Sequence, residues 1–443
     1  MKKNLLLISM ALIGFTSVTL AQPKEQTTET KYRRSSLHTM IAETEKFPNK
    51  EVVVNAFNTA PFPDKYNNHV IGAKSFDPAQ YPLTKEEIAG LFKEKSKAGK
   101  FASSALSSST DITIDTAARM LSSQIKKYFD QNKIANQLVA KWFNRQADGT
   151  FDMSLIQERG SYNASEMEAN IAKGAARGVS SLADAGIELI GNTFVVVSRF
   201  NFVSNEVVAR VVRDAAYLAA NQAKTPMLQT AAIKAADAAY DKAKEGYSVW
   251  ATAFLYKLVW NDSIEAIFYN DLWMDKTNPD PKKKEAFDKS DLFSLEFVGD
   301  EKATGLVLFS LKEKRTEAQI IEIATIRTID AVFAKLQKKY DVFKTKTPLL
   351  TGNPITAKIG LKEGLEGGDK FEVLEQTQDP KTGLTKYVSK GTITVDEKSI
   401  WDNRYNAGDE LTATGADPKT ALDRTTFKGG TKFFSGMLVR QVK

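Results

Sequence analysis

Ser248–Asp271 reads SVWATAFLYKLVWNDSIEAIFYND, and the fold class turns on this stretch. Trp250, Phe254, Tyr256, Leu258 and Trp260 share one face by the strand period of two, and Ala251, Ala253, Leu255 and Val259 share the other. A strand that is apolar on both faces belongs in the middle of a covered sheet. Asn261-Asp262-Ser263 are turn formers, so Ser248–Trp260 and Ile264–Asp271 are expected to pair as a hairpin. A second hairpin is expected from Phe293–Val298 through Gly299-Asp300 to Leu306–Leu311.

Upstream, Leu121, Ile125, Tyr128, Ile134, Leu138 and Trp142 make one apolar face over a helical stretch from Asp115 to Arg145. Phe151–Gln157 reads as a strand, Ser165–Ile190 as a helix and Thr193–Val203 as a buried strand. Glu206–Gly246 is Ala-rich helix broken at Thr225-Pro226. Thr84 with Glu87, and Thr316 with Gln319, are capping boxes that open helices. Val52-Val53-Val54 reads as a strand, and prolines 61, 63, 78 and 82 mark an extended segment held to a surface by its aromatic side chains. Ser103–Thr110 reads as a linker. After Pro348, Gly352 and Pro354 the chain turns to short strands at Ala357–Leu361, Phe371–Glu375, Tyr387–Val395 and Met437–Val442, the pattern of a small barrel.

The fold class expected is α+β: a central antiparallel sheet with long helices, plus a C-terminal small β-barrel. The domains are a signal peptide at 1–21, a Pro-rich extended segment and linker at 22–110, the α+β domain at 111–347 and the barrel at 348–443. Lys2 and Lys3, the apolar run Leu5–Leu20 and the small residues Thr19 and Ala21 fit an export signal cleaved before Gln22. Localisation is then expected in the periplasm or at the outer-membrane periphery.

Among 443 residues there is no cysteine, which removes disulfides, thiolate metal sites and a lipid-modified cysteine. Without Lys2 and Lys3 the basic count falls from 61 to 59 against 54 acids, a net charge of about +5. That excess is spread along the chain, and no basic tract interleaved with aromatics points to nucleic acid. The cluster Lys31, Arg33 and Arg34 reads as a solvated N-terminal arm.

His38 and His69 are the only histidines, belong to no metal-spaced motif and read as surface or packing residues. Zinc or iron is not expected, while calcium, which needs only oxygen ligands, stays open. Gly360–Asp369 (GLKEGLEGGD) lacks the Gly-Lys-Ser/Thr ending of a phosphate loop and reads as a turn. Trp250, Tyr256, Trp260, Tyr269 and Trp273 form either sheet core or a glycan or peptide platform, with core favoured by the period of two. No catalytic, cofactor-binding or metal-ligating residue is singled out, and no cofactor is expected.

Leu155-Ile156-Gln157-Glu158-Arg159-Gly160, a helix, and then Leu189–Val196 (LIGNTFVV) resemble the order of elements in the periplasmic α+β domain of curli-secretion-type envelope proteins. The glycine-rich strand pattern after Ile355 resembles the small SH3-like barrel that ends some flagellar-ring assembly proteins. The resemblance implies an envelope-assembly or scaffold role and brings no catalytic residues to carry over; the partner expected is an envelope protein or cell-surface component, with a homo-oligomer also open. The function expected is therefore an exported, non-enzymatic cell-envelope scaffold or interaction factor. The alternative is a secreted hydrolase that cleaves glycan or peptide with a carboxylate pair.

Overall fold

The computed structural model describes residues 32–43, 47–98, 109–162, 188–244, 246–277, 279–308, 315–379, 385–409 and 421–442. The expected signal peptide, most of the Ser-rich linker and most of the helix at 165–190 lie outside them.

In chain order the sheet strands are β1 (Ser36–Ala42), β2 (Asn67–Asn68), β3 (Ser75–Phe76), β4 (Thr193–Ser204), β5 (Gly246–Leu258) and β6 (Leu295–Leu308). The helices around them are α1 (Lys50–Thr59), α2 (Lys85–Ala98), α3 (Ser109–Gln131), α4 (Ile134–Trp142) and α5 (Ser154–Tyr162). There follow α6 (Asn205–Ala220), α7 (Pro226–Ala243), α8 (Asp262–Ile267), α9 (Pro281–Lys289) and α10 (Glu317–Lys339). The sheet order is β2-β1-β4-β5-β6, with β3 also on β1. β4, β5 and β6 are antiparallel as expected, but β1 joins β4 in parallel, so the sheet is mixed.

β5 is central, and its two faces feed two separate cores. Phe254, Tyr256 and Leu258 pack with Leu121, Ile125, Leu138 and Trp142 of α3 and α4. Val249, Ala251, Ala253 and Leu255 pack with Ile320, Ile323, Ala324 and Leu336 of α10. α10 opens with the expected capping box, in which Thr316 and Gln319 serve each other's backbone N–H groups. Thr84 and Glu87 do the same ahead of α2.

Several local expectations give way to tertiary packing. The hairpin partner expected at Ile264–Asp271 is instead α8 followed by a π-helical turn at Phe268–Leu272. Asn261 caps α8 by accepting from the Ile264 N–H, because a good turn former is equally a good N-cap. The second hairpin is one continuous strand, β6. A bulge falls at Val298-Gly299, with Gly299 at φ 157°, and Asp300 is back in register opposite Phe254, its carbonyl accepting from the Tyr340 phenol at 3.0 Å. Val52–Val54 lies in α1, which buries only Val53 and Ala56. Phe151–Gln157 leads into α5. Arg34, expected in a solvated N-terminal arm, is only 8% exposed, and within the segment expected to be extended Ser36–Ala42 forms β1 in the interior of the sheet.

The extended segment after α1 is pinned by its rings as expected. Tyr66 stacks on Phe343 at 5.0 Å, and Phe76 stacks on Tyr128 at 4.7 Å. Beyond α10 the chain closes a six-stranded antiparallel barrel: β7 (Thr347–Gly352), β8 (Ile355–Ala357), β9 (Lys370–Gln378), β10 (Thr385–Val395), β11 (Thr425–Lys428) and β12 (Leu438–Gln441). Its interior is filled by Leu349, Ile355, Phe371, Val373, Ile393, Phe427 and Val439. Pro348 and Gly352, after which the short strands were expected to begin, already lie in the first barrel strand.

Candidate functional site

The two histidines, read as unrelated, are brought together on the α3–α4 side of the sheet. Both are fully buried, so packing is their setting and the surface is not. Arg159 donates to His69 Nδ1 at 2.9 Å, and His69 Nε2 lies 2.9 Å from the Leu138 carbonyl. That arrangement assigns the neutral tautomer with its proton on Nε2. The ring stacks on Trp142 at 4.7 Å, and the Arg159 guanidinium covers the same indole at 4.6 Å. Burial, with Arg159 beside it, holds His69 well below the usual histidine range. Burial also takes His38 down to about 4, with Lys141 and Lys74 adding to the effect and the Ala73 carbonyl opposing it. A base this weak, tied to backbone, is suited to holding β1 and β2 in place rather than to proton transfer. Among the described residues no group of three or more His, Asp or Glu is placed to hold a metal.

Of the five aromatics weighed as a platform, Tyr256 is core, and Trp260, Tyr269 and Trp273 are half-buried against that core. Tyr256 is buried, its hydroxyl donating to the Ser122 carbonyl at 3.0 Å. Trp260, Tyr269 and Trp273 surround Phe143 at 5.9, 5.9 and 5.6 Å. Trp250 differs: it is 41% exposed. The period of two placed it on the right face but carried no information on how far the covering helices extend.

The carboxylates gather where the barrel meets α10. A polar cavity of about 480 Å³ opens there, lined by Asp64, Lys362, Glu363, Trp401, Asp402 and Asp409 among others. A hydrolase would need two of these free to face a substrate across a suitable gap. Glu363 is instead engaged on both oxygens, with Lys65 at 3.0 Å on one and the Gly360 N–H and Asn403 Nδ2 at 2.7 and 2.9 Å on the other. Lys65 and the hydrogen bonds hold it below the usual carboxylate range against its burial. Asp402 is chelated by Arg404, and Arg327 donates to the Tyr405 carbonyl at 3.0 and 2.8 Å. Behind them, burial pushes Asp330 up to about 7, despite Lys362 at 3.9 Å. These groups fasten the barrel to α10. The glycine-rich run Gly360–Asp369 supplies a turn in this junction, with Gly364 at φ 68° and Gly368 at φ 90°.

The feature that sequence reading missed is the outward face of α6 and α7. These helices are inserted between neighbouring strands: β4 ends at Ser204, which pairs with Tyr247 of β5. As expected, the break falls at Thr225-Pro226, where Thr225 caps α7 and Pro226 occupies its first turn. Their mutual contact is made by small and polar groups. Ala209, Ala220 and Ala236 are buried, Tyr240 donates to Glu206 at 2.9 Å, Tyr217 bonds Asp237, and Arg213 lies over Tyr240 at 4.4 Å. The large apolar side chains point away. Val211 is 66% exposed, Leu218 70% and Met227 84%, with Val212 and Leu228 exposed beside them. A solvated helix pair buries such residues in its seam, so this arm is turned inside out. The doublet Val211-Val212 was the available signal, since two β-branched residues in succession do not both fit an Ala-lined seam.

No family model matches this chain, and no curated protein matches it. Among the described residues, no helix is long and apolar enough to cross a membrane.

Proposed function

We propose that this chain is an exported, non-enzymatic cell-envelope protein that acts as a scaffold or assembly factor, and that the α6–α7 arm grips its partner. The observation that supports the reading most is the outward set Val211, Val212, Leu218, Met227 and Leu228 on an arm whose own seam is polar. Several exposed large apolar groups on one pair of helices mark a docking surface more often than they decorate a solvated arm. The occupant proposed is an apolar helix of another protein. On the outer side of α7 the exposed Ala231, Ala235 and Ala238 recur at helical spacing, and small residues let a second helix come close. The two helices carry four basic and four acidic residues, so the arm has no charge excess to hold an anionic lipid surface.

The test is a photo-crosslinking residue at Leu218 or Met227, with exposed Lys398 of the barrel as the control position. Cells of the native host should give one heterologous adduct from the arm and none from the control. Combined Val211→Ser, Leu218→Ser and Met227→Ser substitutions should abolish it while leaving the melting temperature unchanged. Adducts joining two copies of this chain, adducts to lipid, or equal yields from Lys398 would overturn the reading. Export is checked on the same material by N-terminal sequencing, where a chain beginning at Met1 rather than Gln22 would defeat it.

A further inference from the structure

The polar cavity of about 480 Å³ where the barrel meets α10 has a wall that the fastening contacts leave unused. We infer that it binds a neutral sugar ring, free or as a unit of a glycan chain, laid against Trp401 and hydrogen-bonded by Asp64, Asp409 and Asn406. None of its lining residues comes from the α6–α7 arm.

Trp401 sets the chemistry. Its N–H donates to Thr425 Oγ1 at 3.0 Å, and its carbonyl accepts from the Leu361 N–H at 3.0 Å. Both main-chain groups are thereby spent on fixing the residue, and what it brings to the cavity is the indole. The residue is half-buried, yet it belongs to none of the apolar clusters among the described residues. A tryptophan held on fixed backbone, beside an open cavity and outside every core, offers its ring as a platform. One face of a pyranose ring carries C–H groups that pack on an indole, and each hydroxyl at its edge both donates and accepts.

The rim supplies the partners for those hydroxyls. The side chains of Asp64, Asp409 and Asn406 form no ion pair or hydrogen bond among the described residues. The carboxylates accept, and the amide does both. Asp64, Glu363, Asp402 and Asp409 face Lys358, Lys362 and Arg404 around the opening, so its charge is close to balance and no strong field selects an ion. The wall behind is already fixed: Asn403 accepts from the Lys362 N–H at 2.8 Å and donates to Glu363 at 2.9 Å, so little order is lost on binding. The volume falls within the range of about 300–1,000 Å³ common to small-molecule sites, with room for a pyranose ring and part of its neighbour. Asp64 and Asp409 are exposed, so neither has the water-excluded setting of a general acid, and the sugar is held without being cleaved.

Saturation-transfer NMR on the full chain tests this with glucose, galactose, mannose and N-acetylglucosamine, each free and as a disaccharide, and with glycerol as a polyol that has no ring. At least one sugar should receive transfer at its ring C–H protons, and glycerol should not. A stronger signal from the disaccharide assigns the site to a glycan unit, and a signal from the free sugar alone assigns it to a monosaccharide. Trp401→Ala should lower the signal several-fold, and Trp401→Phe should keep most of it. The paired change Asp64→Ala and Asp409→Ala touches only exposed side chains, so it should weaken binding several-fold at an unchanged melting temperature even where Trp401→Ala fails to fold. No transfer to any sugar, equal transfer to glycerol, a signal that survives Trp401→Ala, or full binding by the aspartate variant would overturn the assignment. Release of free sugar from a disaccharide would overturn the holding role.

Discussion

Asp330→Asn should make the protein more stable at neutral pH, with a gain that disappears in acid. Asp330 lies on α10 beneath the barrel junction, and burial raises it from an ordinary value of 3.8 to about 7. Lys362 at 3.9 Å favours its charge, but Glu363 and Asp64 oppose it. A carboxyl that holds its proton more tightly in the folded chain contributes fully below pH 3.8, and that contribution is lost as pH rises through 7. At about 1.4 kcal/mol per pH unit, the interval corresponds to an upper bound of about 4 kcal/mol. That is a large share of the roughly 5–15 kcal/mol that holds a domain together. The amide mimics the protonated acid at every pH, so the variant should match the unsubstituted chain near pH 4 and exceed it increasingly up to pH 7, with no further gain above. Urea unfolding at constant ionic strength across this range measures the difference. A difference independent of pH, or a variant that falls further behind as pH rises, would refute the assignment of Asp330 as a strained, buried acid.

His38 carries the opposite slope. Its folded value of about 4 lies below the unfolded 6.5, so its contribution is present above pH 6.5 and lost on acidification toward 4, with an upper bound of about 3 kcal/mol. His38→Gln, which keeps an acceptor for the Ile71 N–H, should flatten that acid loss in urea titrations; an unchanged slope would count against it. Trp260→Ala should lower stability by about 3 kcal/mol, because the indole packs against Phe143, Phe268 and Phe293. Trp260→Phe should cost much less, since the buried indole Nε1 has no hydrogen-bond partner to lose. Equal melting temperatures for Trp260→Ala and the parent chain would show that the ring is not part of the core.

Long periodic signals were legible in the sequence and short ones were not. β5 declared its central place because two apolar faces have only one home in a soluble sheet, and α10 declared its start through Thr316 and Gln319. Asn261-Asp262-Ser263 misled because the same side chains serve a turn and a cap, and the i, i+3, i+4 spacing of Ile264, Ile267 and Phe268 was the better guide. β1 escaped notice because Ser36, His38 and Thr39 dilute its hydrophobicity, although Ser36 and His38 are fully buried. The junction of barrel and α10 was illegible for another reason: Lys65, Asp330 and Glu363 come from three distant segments, and only the closed fold makes them neighbours.

β1 comes early in the chain, yet its seat in the sheet is beside β4, which begins at Thr193, and β4 in turn leans on β5, which begins at Gly246. A strand synthesised first and seated so late has only the short ladders of β2 and β3 to join while the intervening chain emerges. Closing so long a loop adds little to its entropic cost, because that cost grows only logarithmically, but pairing across such separations slows folding. The sheet's interior therefore completes as a late event, timed by the arrival of β4 to β6 rather than by any property of β1. Until then the leading segment stays threadable, and a chain stalled before Leu308 has no finished sheet in which to trap it.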